Sequence, residues 1–474
     1  MQPLLQTAPR ASLTDVFDEK QVRTQATHDI NLLIESCKSE KTALSIRLDF
    51  NQERKEQTLQ IYNEVANRIN ALLKAEKSPV SISITFADGH YSLIGIYDDF
   101  RENVKVPQDK LASLGPLELT ASQWKALDGQ FQKVARTLYD RGFDLLFPSQ
   151  KLEVIRRIIS PHTDEGKKFG FEYVSGGASE FGSETKKASE TLSSMKGKCD
   201  DYSLLFMACV KKLKKDGKLM ETEVKLATYS YYDPKEKKIS GHANVLHLSL
   251  EKDSKTYLVD FTYNSGVKEL EAKPKGIGTE NASLKDELLD HMNDGRRKEE
   301  KIKPEHLEIR LYDGFTGAEA YYAEREGASL LRKSEYGKAV EQLTPAIETS
   351  RKNGAYFGDA LLYRAEAYWN LMKNASDGAN KLYDAGRHDE ATEKFRLAED
   401  YLALFKYDLN EGIEQANLSS FALMEGTKLL CFLETKESLK QAEELTRRAI
   451  EKAPYNKGYE KTLERIMARE NELK

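Results

Sequence analysis

Three residues in the middle of the chain, Cys199, His242 and Asp260, are of the types that make up a nucleophilic cysteine site. The cysteine lies in the motif Gly-Lys-Cys-Asp-Asp-Tyr-Ser, the histidine in Gly-His-Ala-Asn and the aspartate in Tyr-Leu-Val-Asp-Phe-Thr. In such a site a thiolate attacks a carbonyl carbon, an imidazole moves the proton, and a carboxylate orients the imidazole. The order and types of these residues therefore predict an amide-processing cysteine enzyme.

The predicted secondary structure brings these residues to the edges of regular elements. Apolar residues at helical spacing follow Cys199, which places the thiol at the first turn of a helix, where unpaired N–H groups favour a thiolate. Asp200 and Asp201 oppose this effect, so a histidine partner must supply much of the activation. Residues 241–249 and 256–262 predict two consecutive antiparallel strands, which would bring the histidine strand alongside Asp260.

A second histidine competes for the same role. His247 lies on the same predicted strand as His242, and simple hairpin counting could place it across from Asp260. The odd spacing puts the two rings on opposite faces of the strand, so at most one points at the sulfur. The Gly-His-Ala context favours His242. Cys209 follows Cys199 at helical spacing and is most simply a buried packing residue.

Together, the three motifs resemble the transglutaminase-like superfamily of cysteine enzymes. That family has a papain-like core and includes acyl transferases, peptidases, deamidases and peptide N-glycanases; the resemblance covers roughly residues 150–265. It implies that Cys199 is the nucleophile, His242 the general base and acid, and Asp260 the orienting residue, with no metal and no cofactor. Asn244 departs from the family, because many members carry a bulky aromatic residue two positions after the histidine. The side-chain donor of an oxyanion hole is not identifiable upstream of Cys199.

The rest of the chain predicts three further segments around a catalytic domain at residues 146–266. Residues 1–145 predict a small α+β domain, with a hairpin signal at Asp88-Gly89 and a capping box at Thr120. Residues 267–314 are heavily charged and predict a linker, with a solvated helix as the alternative. Residues 315–474 predict an all-α domain. The overall fold class is thus multidomain, with an α+β papain-like core and a helical C-terminal region.

The C-terminal segment resembles tetratricopeptide repeats. Ala339, Ala391 and Ala442 recur in similar contexts, and Gly327 stands where a first helix needs a small residue. The alanines lie 52 and 51 residues apart (391 − 339 and 442 − 391), against about 34 for the standard repeat. Longer helices or insertions are therefore expected. The segment predicts an irregular α-solenoid, with a plain helical bundle as the alternative.

Composition excludes several classes of partner. The formal net charge is −5 over 474 residues, which gives no electrostatic basis for nucleic-acid binding. No apolar run approaches membrane-spanning length, and no standard signal peptide is recognisable. Four scattered cysteines fit a reducing compartment and lack metal-ligand spacing. The expected location is cytoplasmic, or outside the cell by a route that needs no standard signal peptide.

The predicted function is hydrolysis, deamidation or acyl transfer at amide bonds of a protein or peptide substrate. The helical repeats would bind that substrate or a protein partner. Two alternatives remain open at the level of sequence. One is a non-catalytic binding scaffold with an inert transglutaminase-like domain, and the other is a secreted bacterial effector that uses the same site on host proteins.

Overall fold

The structure is a computed structural model that places most of the chain. The described residues are 18–40, 44–48, 55–76, 78, 80–87, 90–97, 100–174, 184–219, 222–249, 255–261, 266–271, 282–352, 357–415 and 418–473. The chain divides into two compact units, one of residues 1–106 with 125–127 and one of residues 107–124 with 128–474. All three predicted catalytic residues belong to the second unit.

The described residues of the first unit form an α+β fold. Its elements are α1 (Glu19–Glu40), β1 (Leu44–Leu48), α2 (Lys55–Ala75), β2 (Val80–Ala87), β3 (His90–Tyr97) and α3 (Phe100–Asn103). The strands are antiparallel, in the order β1-β3-β2. Helix α1 buries Ala26, Ile30 and Leu33 at helical spacing against the sheet residue Ile46. Strands β2 and β3 pair from Ala87 with His90 onward, and the predicted turn Asp88-Gly89 between them lies outside the described residues.

The second unit begins with helices around two short parallel strands and continues into a larger sheet. Its first elements are α4 (Gln108–Ser113), α5 (Ala121–Tyr139), α6 (Pro148–Ile159), α7 (Asp164–Phe169), β4 (Glu172–Tyr173), α8 (Ala188–Ser194), β5 (Lys196–Gly197) and α9 (Cys199–Lys215). The sheet elements and the helix between them are β6 (Thr222–Asp233), β7 (Lys238–Ser249), β8 (Thr256–Val259), β9 (Val267–Leu270), α10 (Ala282–Asn293) and β10 (Leu307–Asp313).

Helix α9 is the central element of this unit. The larger sheet is antiparallel throughout, with the order β10-β6-β7-β8-β9. Helix α9 packs on β7 and also contacts α6 and α8. Every residue from Asp200 to Val210 is buried, as expected for a helix surrounded by other elements. Its first residue, Cys199, retains partial exposure.

The boundary between the units differs from the predicted one at residue 145. The first unit ends at Val106, and most of α5 belongs to the second unit. The predicted capping box is confirmed, since Thr120 Oγ1 accepts from the Gln123 N–H at 3.2 Å. The same Gln123 donates through Nε2 to the Ser189 carbonyl at 2.9 Å. This long-range bond, which local patterns cannot reveal, ties α5 to α8.

The prediction of a charged linker at residues 267–314 is wrong for most of that segment. Strands β9 and β10 belong to the larger sheet, so residues 146–266 supply only three of its five strands. The charges that suggested a linker have partners far away in sequence. Arg296 pairs with Asp233 at 3.1 Å, and the Glu308 carboxylate accepts from the N–H of Ser420 at 2.8 Å and from its hydroxyl at 2.7 Å.

The described residues after Asp313 form only helices and their connections. These helices are α11 (Gly314–Arg332), α12 (Tyr336–Lys352), α13 (Gly358–Asp384), α14 (His388–Glu414), α15 (Ser420–Cys431), α16 (Lys436–Lys452) and α17 (Lys457–Glu472). The recurrent alanines 339, 391 and 442 are buried. Helices α13 and α14 have 27 residues each, and this pair alone exceeds the length of a standard repeat of about 34 residues. Long helices thus account for the wide spacing of the alanines.

Gly327 marks the closest approach of α11 to α12, and its replacement should be destabilising. A Cβ atom there would lie 2.5 Å from Leu343 Cγ. Overpacking of this kind costs about 1–3 kcal/mol, against a gain of up to about 1 kcal/mol in helix propensity. We therefore expect Gly327→Ala to lower the urea midpoint of unfolding. Both tryptophans, Trp124 and Trp369, lie in the second unit, so their fluorescence reports the unfolding of that unit.

Gly337→Ala is the matched control for this prediction. A Cβ atom at Gly337, on α12, meets nothing within 4 Å among the described residues. This substitution should leave the unfolding midpoint unchanged or raise it slightly. Equal midpoints for the two variants would contradict the close packing of the two helices.

Candidate active site

Cys199 is the first residue of α9, and hydrogen bonds of the preceding residues hold it at this position. Asp201, one turn into the helix, accepts from the N–H of Lys198 at 2.9 Å and of Lys186 at 2.7 Å. A Cβ atom on Gly197 would lie 2.9 Å from Asp201 Cβ, so only glycine allows this approach without movement. The carboxylate therefore caps the helix and fixes the segment that leads to the thiol.

The two aspartates after Cys199 are engaged elsewhere, which reduces their effect on the thiol. Asp200 Oδ2 accepts from the hydroxyls of Thr185 at 2.8 Å and Tyr321 at 3.3 Å. Burial, with the charge of Asp200 as the next cause, raises the pKa of Asp201 to about 7 despite its two backbone hydrogen bonds. Asp201 is thus partly protonated near neutral pH, and the negative charge beside the thiol is smaller than the sequence suggests.

The structure brings Cys199, His242 and Asp260 together. His242 lies on β7, and Asp260 follows the last residue of β8. Strands β7 and β8 pair through Val245 with Val259, and this register carries Asp260 to the side of His242. Nε2 of His242 lies 3.5 Å from Oδ1 of Asp260, and both side chains are almost fully buried. The thiol of Cys199 lines the same cleft as this imidazole, and a hydrogen bond between the two is among the causes that raise the pKa of His242.

The surroundings of His242 favour its protonated form. Burial lowers the pKa of the imidazole, but the charge of Asp260 and the hydrogen bonds with Asp260 and Cys199 outweigh it. The pKa of His242 consequently lies well above its usual value. An imidazolium between a carboxylate and a thiol is the arrangement that stabilises a thiolate. Because Nε2 faces Asp260, Nδ1 is the ring nitrogen left for the sulfur.

His247, the competing histidine, lies away from this group. It pairs across the sheet with Tyr257 rather than with Asp260. Its side chain is fully buried, and neither ring nitrogen has a hydrogen-bond partner among the described residues. Burial lowers its pKa to about 4, so the ring is neutral at physiological pH. His247 is therefore a core residue in this fold.

Two residues that sequence reasoning did not assign also contact Asp260. His291, on α10, has Nε2 2.8 Å from Asp260 Oδ2. The end of the Asn244 amide lies 2.9 Å from His242 Nε2 and 3.3 Å from Asp260 Oδ1, and the orientation with Nδ2 at this place suits a neutral imidazole that has no proton on Nε2. The sequence pattern that could have indicated His291 is its helical spacing from Leu284 and Leu288, which places the three residues on one apolar face. The expectation of a linker concealed that pattern.

Across the described part of the chain, no three His, Cys, Asp or Glu residues are arranged to hold a metal ion. Each contact of Asp260 described above is instead a hydrogen bond or an ion pair with an imidazole or amide.

A cleft of about 310 Å³ opens beside Cys199 and His242. One wall is the β6–β7 hairpin. The other wall comes from β10 and the helical region, and its residues include Arg310, Tyr312, Tyr321, Glu324, Asp359 and Tyr363. The helical region therefore forms part of the cleft that holds the candidate nucleophile.

The far wall of the cleft contains a buried charge cluster around Arg310. Nη1 of Arg310 lies 2.5 Å from Asp359 Oδ2, 3.3 Å from Glu324 Oε1 and 2.8 Å from the Tyr312 hydroxyl. Burial, followed by the charge of Asp359, raises the pKa of Glu324 to about 8. Burial and the neighbouring charge of Asp359 thus favour the protonated form of Glu324, and Arg310 pairs with both carboxyl groups.

Comparison with known proteins gives no relative for this chain. It matches no protein-family model, no curated protein and no solved structure. Within the ranges that the structure describes, no helix has both the length and the apolar content needed to cross a membrane.

Proposed function

We propose that this chain is a cysteine enzyme of the transglutaminase-like type, acting on protein or peptide amide bonds through a thioester on Cys199. The observation that carries the proposal is the contact of one buried imidazole, His242, with both the Cys199 thiol and the Asp260 carboxylate. The resemblance of the three motifs to the transglutaminase-like superfamily supports the same assignment. In this proposal, residues 146–313 form a papain-like core.

The first half of the reaction forms the thioester. The thiolate of Cys199 attacks the carbonyl carbon of a carboxamide, and the carbonyl oxygen becomes an oxyanion. The backbone N–H of Cys199, at the positive end of α9, stabilises this charge. The imidazolium of His242 then gives its proton to the amide nitrogen, the C–N bond breaks, and an amine or ammonia leaves. Asp260 keeps the imidazole oriented throughout.

The second half returns the enzyme to its starting state. Neutral His242 takes a proton from a water or an incoming amine, whose oxygen or nitrogen attacks the thioester carbonyl. The C–S bond breaks and the thiolate re-forms beside the imidazolium. Water gives hydrolysis or deamidation, and an amine gives acyl transfer.

We place the substrate protein partly against the helical region, which we propose to be a tetratricopeptide-like solenoid. The support is the cleft, because α11 and α13 line it together with Cys199. All four cysteines are free thiols, which supports a reducing compartment such as the cytoplasm. No feature of the site separates this location from that of a secreted effector with the same chemistry.

The proposal is tested by the pH dependence of Cys199 alkylation with iodoacetamide, followed by peptide mapping. In the wild type, labelling should persist well below the free-thiol pKa of about 8.5. Labelling at pH 6 should fall about tenfold in His242→Ala, since the gain in thiolate is partly offset by lower nucleophilicity. Cys199→Ala gives the background from the partly exposed Cys431.

A second probe separates an enzyme from an inert scaffold. p-Nitrophenyl acetate should acetylate Cys199 rapidly, and the acetyl group should leave with time as water attacks the thioester. A thiol that alkylates like a free cysteine in both the wild type and His242→Ala would refute the proposal and favour the scaffold.

A further inference from the structure

Asp260 is shared between two histidines, and only one of them contacts the thiol. Oδ2 of Asp260 lies 2.8 Å from Nε2 of His291, whereas Oδ1 lies 3.5 Å from Nε2 of His242. The carboxylate is fully buried, and His291 is nearly so at 6% exposure. The shorter of the two contacts is thus made by a residue outside the predicted triad.

The position of His291 is fixed by the packing of α10. Leu284, Leu288 and Met292 on this helix are buried against the sheet, in the same cluster as Tyr229 and Leu258. The His291 ring therefore has little freedom to leave Asp260. Because an ionised carboxylate can only accept hydrogen bonds, Nε2 of His291 carries the proton in this contact.

A carboxylate held by one oxygen cannot turn freely about its Cβ–Cγ bond. With Oδ2 bound to His291, Oδ1 stays directed at His242 and at the Asn244 amide, 3.3 Å away. Without this bond, the buried carboxylate would lose a donor that favours its ionised form and that holds Oδ2 in place.

We propose that His291 is a positioning residue that holds Asp260 ionised and aligned with His242 during the thioester reaction. This inference rests on the proposed function of the same site. His291 does not touch the reacting atoms and acts through Asp260 alone. Its contribution should be greatest in the step in which His242 loses its proton, when Asp260 faces a neutral ring and retains the donor on Oδ2.

Other titratable groups face this carboxylate and bear on any measurement against pH. His242 comes from β7, His162 from the loop after α6, Tyr229 from β6, and Cys199 lies beyond His242 on α9. Burial, followed by the charge of Lys167, lowers the pKa of His162, with Asp260 opposing. The His291 variants described next leave all of these groups unchanged, so a difference between them reports on His291.

The test compares two kinds of replacement for His291. His291→Phe fills the space but cannot donate to Oδ2, and His291→Gln keeps an N–H at a similar reach. His291→Leu is a second apolar variant, in case the phenyl ring does not fit. Each variant is first checked for a cooperative urea transition. The rate of Cys199 alkylation by iodoacetamide is then measured from pH 5 to pH 9.5, beside the wild type and His242→Ala.

We expect the apolar variants to be alkylated about tenfold more slowly than the wild type at pH 6 and equally fast at pH 9.5, where the thiol ionises without help. His291→Gln should stay within about threefold of the wild type. A folded apolar variant with the wild-type profile, while His242→Ala is slow at pH 6, would overturn the role of His291 and leave the proposed function standing. An ordinary thiol profile in the wild type itself would overturn both.

Discussion

Replacement of Asp260 by asparagine should slow the acetylation of Cys199 by p-nitrophenyl acetate about 10- to 30-fold at pH 7. The charge of Asp260 and its hydrogen bond are two of the causes that raise the pKa of His242. An amide has no charge, and its oxygen accepts only a weaker, neutral hydrogen bond, so most of the imidazolium and of the thiolate that it stabilises is lost. A thiol with a pKa of about 8.5 is only about 3% ionised at pH 7, which sets the upper value.

The matched control for this variant is Asp290→Asn. Asp290 directly precedes His291 in the sequence, but its side chain is exposed. Its replacement should leave the acetylation rate unchanged. At pH 9.5 the Asp260 variant should approach the wild-type rate, because the thiol then ionises without a charged partner. A loss of the same size at every pH would show general damage rather than loss of the ion pair.

Replacement of Arg310 by methionine should be the most destabilising of these changes at neutral pH. Arg310 bridges β10 to α11 and α13 through Glu324 and Asp359, whose side chains are buried. Removal of one partner leaves a buried charge unpaired, which costs about 3–5 kcal/mol in comparable cases. We expect a lower urea midpoint of unfolding at pH 7, measured by tryptophan fluorescence.

The pH dependence of the same variant gives an internal check. Arg310 stabilises the fold most where both carboxyls bear a charge, and Glu324, whose pKa burial raises to about 8, ionises as the pH rises through that value. The deficit of Arg310→Met should therefore be larger at pH 9 than at pH 7. Arg387→Met, which removes an exposed pair with Glu390, should cause no measurable change. A deficit that does not change with pH would contradict the charge cluster.

Much of the fold could be predicted from the sequence, because many of its helices and strands depend on residues that lie close together along the chain. Helix α9 and strands β7 and β8 follow from apolar spacing and alternation. The capping box at Thr120 depends on residues three apart. The assignment of residues 267–314 failed because the partners of its charged residues lie far away along the chain: Ser420 donates hydrogen bonds to Glu308, and Asp233 forms an ion pair with Arg296. A charged strand whose partners are remote looks like a solvated segment.

The candidate site divides in the same way. Residue types and the expected hairpin were enough to bring one histidine of β7 to Asp260, and the Gly-His-Ala context favoured His242, whereas the register that pairs His247 with Tyr257 appears only in the structure. The contact of His291 with Asp260 depends on how α10 crosses the sheet, which no spacing rule gives. The position of Asn244 could be read only as a departure from a family pattern, yet its amide lies against both His242 and Asp260. The roles of all these residues stay predictions until the tests above are made.

The sheet order has a consequence for the order of synthesis. Strand β6 lies between β7 and β10, but β10 is made long after both. A nascent chain that stops before Leu307 would leave one edge of β6 with unpaired backbone groups, and such edges readily pair with other chains. A fragment ending at residue 266, where the motifs end, should therefore aggregate during expression. The shortest fragment worth producing must extend through β10 and into the helices that cover it.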